Sequence, residues 1–184
     1  MPVKTPICDF KQTAKSFELK STNNEMVTLN NIKGESGTLI MFICNHCPYV
    51  KAVINDIVED CINLRNLGIK TVAICSNDAI NYPDDSFDNM ISFSKNHNFT
   101  FPYLIDETQE VAKNYNAVCT PDFFGYNKNL ELQYRGRIRE LKNLKPVRNG
   151  ESDLFKAMKQ IAKTDKGPEE QIPSLGCSIK WLDN

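Results

Sequence analysis

Two cysteines separated by two residues give this sequence its clearest chemistry. They lie in the segment Cys44-Asn45-His46-Cys47-Pro48. Disulfide exchange needs a thiolate of lowered pKa and a second thiol that can release the mixed disulfide. A cysteine pair at the junction of a strand and a helix meets both needs, because the free N–H groups and the dipole at a helix amino end favour an anion. His46, beside Cys47, is a candidate to stabilise the thiolate or to accept a proton.

The elements on either side of the pair are predicted to place it at the carboxyl end of a buried strand. Residues 39–43 form an apolar, branched run, and apolar side chains recur at helical spacing over residues 50–64. Pro48 suits the first position of that helix, which makes Cys47 the capping residue. We therefore expect Cys47 to attack and Cys44 to resolve, while the alternative, a rearranged loop in which Cys44 attacks, stays open.

The rest of the chain follows an order typical of an α/β fold. A hairpin around Asn23-Asn24 comes first, then strand, helix, strand and helix, and finally a second hairpin and a last helix. Strands separated by helices imply parallel pairing, and the active sites of such sheets lie at the carboxyl ends of the strands. We predict a single domain over residues 1–184, with a central mixed sheet flanked by helices, an added N-terminal hairpin and an extended tail over residues 167–184.

The composition argues against several classes of function. Of the 184 residues, 41% are hydrophobic and 24% are charged, and a formal net charge of −1 provides no field to attract nucleic acid or acidic lipid. No apolar run approaches the length of a membrane span, and residues 1–20 carry charges where a signal peptide would be apolar. We therefore expect a cytoplasmic protein that binds neither nucleic acid nor a membrane.

The count of seven cysteines argues against a disulfide framework, because an odd number cannot pair fully. In a reducing compartment most should be thiols, and Cys61 and Cys75 are expected to pack as small buried residues. A structural zinc site usually takes four ligands in two clusters, whereas this chain has one Cys-x-x-Cys pair and, apart from His46, one histidine, His97. We therefore predict redox chemistry at the pair, with no metal and no cofactor.

Five segments spread over residues 10–181 carry a family resemblance when they are taken together. These are Phe17 to Gly34, Cys44 to Lys51, Ser76 to Asp78, Cys119 to Phe123 and Gly176 to Trp181. They resemble thioredoxin-like proteins, and more closely the alkyl hydroperoxide reductase/thiol-specific antioxidant branch of that superfamily. The resemblance implies a thioredoxin fold, thiol–disulfide oxidoreductase activity and a cis bond before Pro121 that faces the cysteines. It also implies that Thr120 offers backbone hydrogen bonds to a peptide-like substrate.

The cysteine pair departs from the thioredoxin pattern. Counted from Phe42, the usual first cysteine falls at Cys47 and the usual second one at Val50, so the pair is displaced by one helical turn. The buried aspartate that helps thioredoxin to move protons would fall at Met41, which leaves His46 as the candidate proton acceptor.

Two more cysteines are candidate accessory thiols. Cys119 precedes Thr120-Pro121 and should lie near the pair, where a packing role and a redox role are both open. Cys177 lies in the predicted tail, where an exposed spare thiol is the simpler interpretation and a mobile resolving or regulatory thiol is the alternative.

A peroxidase is one alternative to thiol–disulfide exchange. Cys47 followed by Pro48 resembles the peroxidatic Cys-Pro of peroxiredoxins. The threonine that peroxiredoxins carry three residues earlier is replaced by Cys44, and their arginine would fall near Thr120. An arginine such as Arg135 or Arg137 would have to substitute, which makes this activity the minority interpretation.

A copper carrier is the second alternative, because soft thiolates suit Cu(I). It would need a distant histidine besides the pair, and His97 is the residue available. For the main interpretation, we expect the partner to be a disulfide-containing protein or a small thiol. The sequence does not identify the reductant.

Overall fold

The chain folds around a seven-stranded sheet, and a computed structural model describes residues 1–183. The strands are β1 (Pro2–Lys4), β2 (Glu18–Ser21), β3 (Met26–Thr28), β4 (Gly37–Phe42), β5 (Ile69–Cys75), β6 (Tyr103–Ile105), β7 (Cys119–Thr120), β8 (Asp122–Asn127), β9 (Leu132–Tyr134), β10 (Leu141–Lys142), β11 (Lys145–Pro146) and β12 (Leu175–Ser178). The α-helices are α1 (Pro48–Arg65), α2 (Phe87–Asn96), α3 (Glu110–Asn114) and α4 (Asp153–Thr164). None of the helices described is both long and apolar enough to span a bilayer.

The main sheet has the strand order β3-β2-β6-β5-β4-β8-β9. Its central strands β6, β5 and β4 are parallel, and α1 and α2 provide the crossovers that parallel pairing requires. The hairpin β2–β3 and the strands β8 and β9 add antiparallel pairs at the two sides. This arrangement confirms the predicted α/β class with a central mixed sheet and an added N-terminal hairpin.

Strand β4 is buried along its whole length and separates two apolar layers. Leu39 and Met41 pack in the layer that contains α1, α2 and α4. Ile40 and Phe42 pack in the opposite layer, with α3 and the first hairpin. Because successive side chains of a strand point to opposite faces, a strand covered on both faces reads as a continuous apolar run. That is the run predicted at residues 39–43.

Helix α1 begins at Pro48, as predicted, and Pro48 occupies its first turn. Its buried stripe holds the helix on the sheet and comprises Val50, Val53, Ile54, Ile57, Cys61 and Leu64. This packing fixes the amino end of α1 immediately after the end of β4. The loop between them is the segment that contains the cysteine pair.

The predicted tail is more structured than an extended segment. Strand β12 is the central strand of a second sheet, with the order β1-β12-β7 and antiparallel pairing on both sides. Cys177 lies opposite Thr120 in this pairing. Gly176 permits the close approach, because a Cβ atom at this position would overlap the carbonyl oxygen of Thr120. Asn184, the last residue of the predicted tail, lies outside the described residues.

Candidate active site

Cys44 and Cys47 lie between the end of β4 and the start of α1. Both side chains are 0% exposed, and both are free thiols. Cys47 is the N-cap residue of α1, as predicted. Its sulfur, however, makes its closest contacts outside the helix, 3.1 Å from the carbonyl oxygen of Thr120 and 2.9 Å from Sγ of Cys177. The nearest partners of Cys47 are therefore other thiols and the Thr120 backbone.

The Thr120–Pro121 bond is cis, as the family resemblance implies. The Thr120 hydroxyl lies 3.3 Å from Sγ of Cys44, and the Thr120 carbonyl oxygen accepts a hydrogen bond from the Cys47 thiol. The backbone edge of Thr120 that was predicted to bind a peptide-like substrate is occupied by β12 of the same chain. A peptide can pair with this edge only after β12 has moved away.

Cys177 is the third thiol of the site. Its contact with Cys47, at 2.9 Å, is longer than the ~2.05 Å of a disulfide bond, so the two are separate thiols in contact. Cys177 is half-buried, whereas Cys44 and Cys47 are fully buried. The interpretation of Cys177 as an exposed spare thiol is therefore wrong, because strand β12 turns Cys177 toward the pair. We call Cys44, Cys47 and Cys177 the three-thiol cluster.

The cluster shifts the pKa values of the pair in opposite directions. A hydrogen bond from the Cys44 thiol, helped by Cys177 and the Val50 N–H group, lowers the pKa of Cys47 to about 5 against the effect of burial. The Thr120 side chain also lowers the pKa of Cys47. The pKa of Cys44 is raised, first by its hydrogen bond to Cys47 and then by burial. The direction of the two shifts favours Cys47 over Cys44 as the thiolate of the pair.

Asp85 is a residue of the site that the sequence analysis missed. Its buried carboxylate lies 2.6 Å from Nδ1 of His46, whose ring stacks on Tyr82. It also accepts hydrogen bonds from the backbone N–H of Asn45, at 2.7 Å, and from the side-chain amide of Asn77, at 2.8 Å. One carboxylate therefore fixes both the cysteine loop and the ring of His46.

The ring of His46 lies near the sulfur of Cys44. One ligand atom each from Cys44, His46 and Asp85 lie within 4.8 Å of one another. A signal for Asp85 does exist in the sequence, because it ends the polar loop after β5, and β5 is the parallel neighbour of β4. Side chains that follow neighbouring parallel strands meet at one edge of the sheet.

Three of the four remaining cysteines, Cys61, Cys75 and Cys119, are separated from this chemistry by burial. Sγ of Cys119 lies 3.7 Å from the carbonyl oxygen of Pro121, and burial raises its pKa. Burial also raises the pKa of Cys61 and of Cys75 to about 12 each, in agreement with their predicted packing role. Of the two candidate accessory thiols, Cys177 therefore touches the pair, and Cys119 packs beside it.

Comparison with known proteins gives the family. The sequence profile of the AhpC/TSA family matches residues 10–141, which is most of the chain. The chain belongs to the AhpC/TSA family. Membership of this family supports a thioredoxin-like redox function carried by thiols. No match was found among curated proteins.

Solved structures resemble this AhpC/TSA chain over nearly its whole length. An uncharacterized conserved protein from Geobacillus kaustophilus is 38% identical, with a TM-score of 0.95, and the match covers 100% of this chain and 98% of that one. A protein from Sinorhizobium meliloti is 32% identical, with a TM-score of 0.89 and 98% coverage of both chains. The thioredoxin domain of a thiol-disulfide oxidoreductase from Bacteroides vulgatus, at 12% identity and a TM-score of 0.58, covers 68% of this chain and 86% of its own. The last match confirms the predicted thioredoxin-like fold.

The arginines considered for a peroxidase are engaged elsewhere in this AhpC/TSA chain. Arg135 is buried in an ion pair with Asp122 at 2.9 Å, and Arg137 pairs with Asp153 at 2.7 Å. Within residues 1–183, neither arginine is among the hydrogen-bonding partners of the Cys47 sulfur. Neither arginine therefore takes the place of the missing peroxiredoxin arginine beside the Cys47 sulfur.

The ligand set expected for a Cu(I) carrier does not assemble within residues 1–183 either. The ring of His97 packs on Phe93, with 4.4 Å between the ring centroids, and lies beside the second half of α1. Over the same residues, the group of side chains with metal-ligand spacing is Cys44, His46 and Asp85. His97 is not part of it.

Proposed function

We propose that this chain is a thiol–disulfide oxidoreductase in which Cys47 attacks a substrate disulfide and Cys44 resolves the mixed disulfide. The observation that carries the proposal is the placement of two free, buried thiols at the start of α1, where the neighbouring Cys44 thiol lowers the pKa of Cys47 to about 5. Disulfide exchange requires a thiolate as the nucleophile, and a group with this pKa supplies one at neutral pH. Family membership supports a redox function. The proposal adds which of the two cysteines attacks and which one resolves.

The reaction in the reducing direction has two steps. The Cys47 thiolate attacks a substrate disulfide R–S–S–R′, which forms a Cys47–S–S–R mixed disulfide and releases R′S⁻. Cys44 then loses its proton and attacks the Cys47 sulfur, which forms the Cys44–Cys47 disulfide and releases RS⁻. Once Cys47 is part of a disulfide it carries no charge, so the main cause of the raised pKa of Cys44 is removed. His46, oriented by Asp85, is placed to accept the Cys44 proton.

A cleft lined by Pro121, the neighbour of Thr120, offers room for part of a substrate. It has a volume of about 330 Å³ and lies between Pro121, Tyr49 at the start of α1, the β10–β11 hairpin and residues 172–175. A disulfide-containing protein or a small disulfide is the proposed substrate class. The presence of all seven cysteines as free thiols suits a reducing compartment such as the cytoplasm.

A peroxidase is the second candidate, because the thiolate Cys47 is followed by Pro48 at the start of a helix. A peroxidatic thiolate also needs a cation beside it to stabilise the leaving oxygen, and the contacts of Cys47 within residues 1–183 consist of thiols, Thr120 and the Val50 N–H group. Disulfide exchange needs no such cation.

The test is mild oxidation of the protein followed by peptide mapping and by an assay of disulfide reduction. We expect a Cys44–Cys47 disulfide, and we expect Cys47→Ser to abolish the acceleration of protein-disulfide reduction by dithiothreitol over the rate without the protein. Cys61→Ser, which removes a buried thiol from the same helix outside the cluster, should keep the activity. Disulfides that never include Cys44 would refute its resolving role. Peroxide consumption faster than disulfide reduction would favour the second candidate.

A further inference from the structure

The Cys47 sulfur has two thiol neighbours. Cys44 lies three positions earlier in the same loop, and Cys177 reaches it from strand β12, 130 positions further along the chain, at 2.9 Å. We propose that Cys177 is a third catalytic thiol, which exchanges a disulfide with Cys47 and connects the buried pair with thiols and disulfides in solution. This inference rests on the proposed function of the pair and extends it by one catalytic residue.

The position of Cys177 is built into the fold. Strand β12 is paired on both sides, with β1 and with β7. Beyond the ladder, the Ser174 hydroxyl donates to the carbonyl oxygen of Pro121 at 2.8 Å, and the Ile179 N–H donates to the carbonyl oxygen of Val118 at 3.2 Å. These bonds flank Cys177 and tie its strand to the backbone on either side of Thr120. A sulfur held in this way acts as an intramolecular nucleophile of high effective concentration.

The three sulfurs differ in access to solvent. Cys44 and Cys47 are 0% exposed, and Cys177 is half-buried. A small thiol or disulfide in solution therefore meets Cys177 before it meets the pair. Contact between Cys177 and Cys47 then allows exchange to continue inward without opening the core around α1.

The exchange is balanced in atoms and electrons. Starting from the Cys44–Cys47 disulfide, the Cys177 thiolate attacks the Cys47 sulfur, the bond between Cys44 and Cys47 breaks, and a Cys47–Cys177 disulfide forms. The electron pair leaves on the Cys44 sulfur, which takes up the proton that Cys177 has lost, so no net oxidation occurs. A small thiol RSH then attacks Cys177, which releases Cys47 and leaves Cys177–S–S–R. A second RSH releases RSSR and restores the Cys177 thiol.

The experiment uses oxidised glutathione as the probe and the full chain with Cys44→Ser. If Cys44 is the sole resolving thiol, this variant stalls as a mixed disulfide of Cys47 with glutathione. If Cys177 exchanges with Cys47, glutathione attached to either of these two sulfurs is released by the other one, and a Cys47–Cys177 disulfide forms. We expect release on the order of a hundredfold faster than in Cys44→Ser/Cys177→Ser, because the attack is intramolecular. Acid quenching, intact mass and peptide mapping identify each species.

The control is Cys44→Ser/Cys119→Ser, which removes a buried thiol that packs next to the cluster. It should behave as Cys44→Ser does. Equal lifetimes of the mixed disulfide with and without Cys177 would overturn the proposal, and Cys44→Ala in place of serine guards against a folding defect. A failure of the proposed function would look different, because the wild-type chain would then form no Cys44–Cys47 disulfide while the Cys44→Ser variants still report on Cys177.

Discussion

Replacing Cys44 with alanine should raise the pKa of Cys47 and so test the origin of its reactivity. The largest cause of the pKa of about 5 is the hydrogen bond from the Cys44 thiol. A hydrogen bond to a charged acceptor contributes roughly 1.5–3 kcal/mol, and about 1.4 kcal/mol corresponds to tenfold in a proton equilibrium. The pKa of Cys47 should therefore move to roughly 6–7. It should stay below the ordinary value of 9.0, because Cys177 and the Val50 N–H group still favour the anion.

The assay is the thiolate absorbance near 240 nm, followed as a function of pH. An optical signal is needed because Cys47 is 0% exposed and a labelling reagent would report access as well as ionisation. The other cysteines do not interfere below pH 9, since each has a raised pKa: Cys8, Cys44, Cys61, Cys75, Cys119 and Cys177. The difference from the same variant carrying Cys47→Ser isolates the signal of Cys47.

Cys61→Ala is the matched control, because it removes a buried thiol of α1 that has no place in the cluster. Its midpoint should remain at about 5, the value for Cys47 in the unmodified chain. A midpoint near 9.0 in the unmodified chain, or an equal shift in Cys44→Ala and Cys61→Ala, would refute the reasoning.

The same pKa has a consequence for stability with a definite sign. Between about 5 and 9.0, the folded chain has lost the Cys47 proton that the unfolded chain keeps. Because the unfolded state binds more protons in this window, the free energy of unfolding should rise with pH. The rise should be smaller in Cys44→Ala, and chemical denaturation at a series of pH values measures it.

Two further substitutions test the supports of the site. Gly176→Ala adds a Cβ atom that overlaps the Thr120 carbonyl oxygen, so β12 should shift away from β7. The free energy of unfolding should fall by about 1–3 kcal/mol, and Cys177 should be alkylated faster. An unchanged alkylation rate would contradict this. Asp85→Asn removes the carboxylate that orients His46 and should slow the resolving step on the order of tenfold near neutral pH while leaving the Cys47 midpoint nearly unchanged. Asp84→Asn is its control, because Asp84 is exposed and only its backbone carbonyl binds the cysteine loop; an equal effect of the two changes would count against a role for the carboxylate.

The central part of the fold was predictable because its signals are local. The apolar run of β4, the helical spacing after Pro48 and the turn at Asn23-Asn24 each lie within one element or one turn. They determine the junction that holds the pair, and the junction was placed correctly. Burial of Cys61 followed from the same helical spacing.

The rest of the site depends on contacts between distant segments. Strands β7 and β12 have two and four residues, too few for a hydrophobic period, and their pairing joins Thr120 to Cys177. Asp85 is one acidic residue in a polar loop. Its position next to the cysteine loop is evident only once β5 is known to pair with β4. The sequence could thus predict which residues carry the chemistry at the pair, but it could not predict which other residues approach them.

In the three-thiol cluster, the most reactive thiol and the most accessible thiol are different residues. Cys47 has the lowered pKa and is 0% exposed, whereas Cys177 is half-buried and burial raises its pKa to about 12. A thiolate buried in this manner is protected from nonspecific oxidation, because oxidation follows both thiolate character and exposure. The same burial would isolate it from substrates if the pair acted alone. A contact of 2.9 Å with the more accessible sulfur resolves this conflict, since exchange then requires the bonds between sulfurs to change and leaves the packing of α1 on the sheet intact.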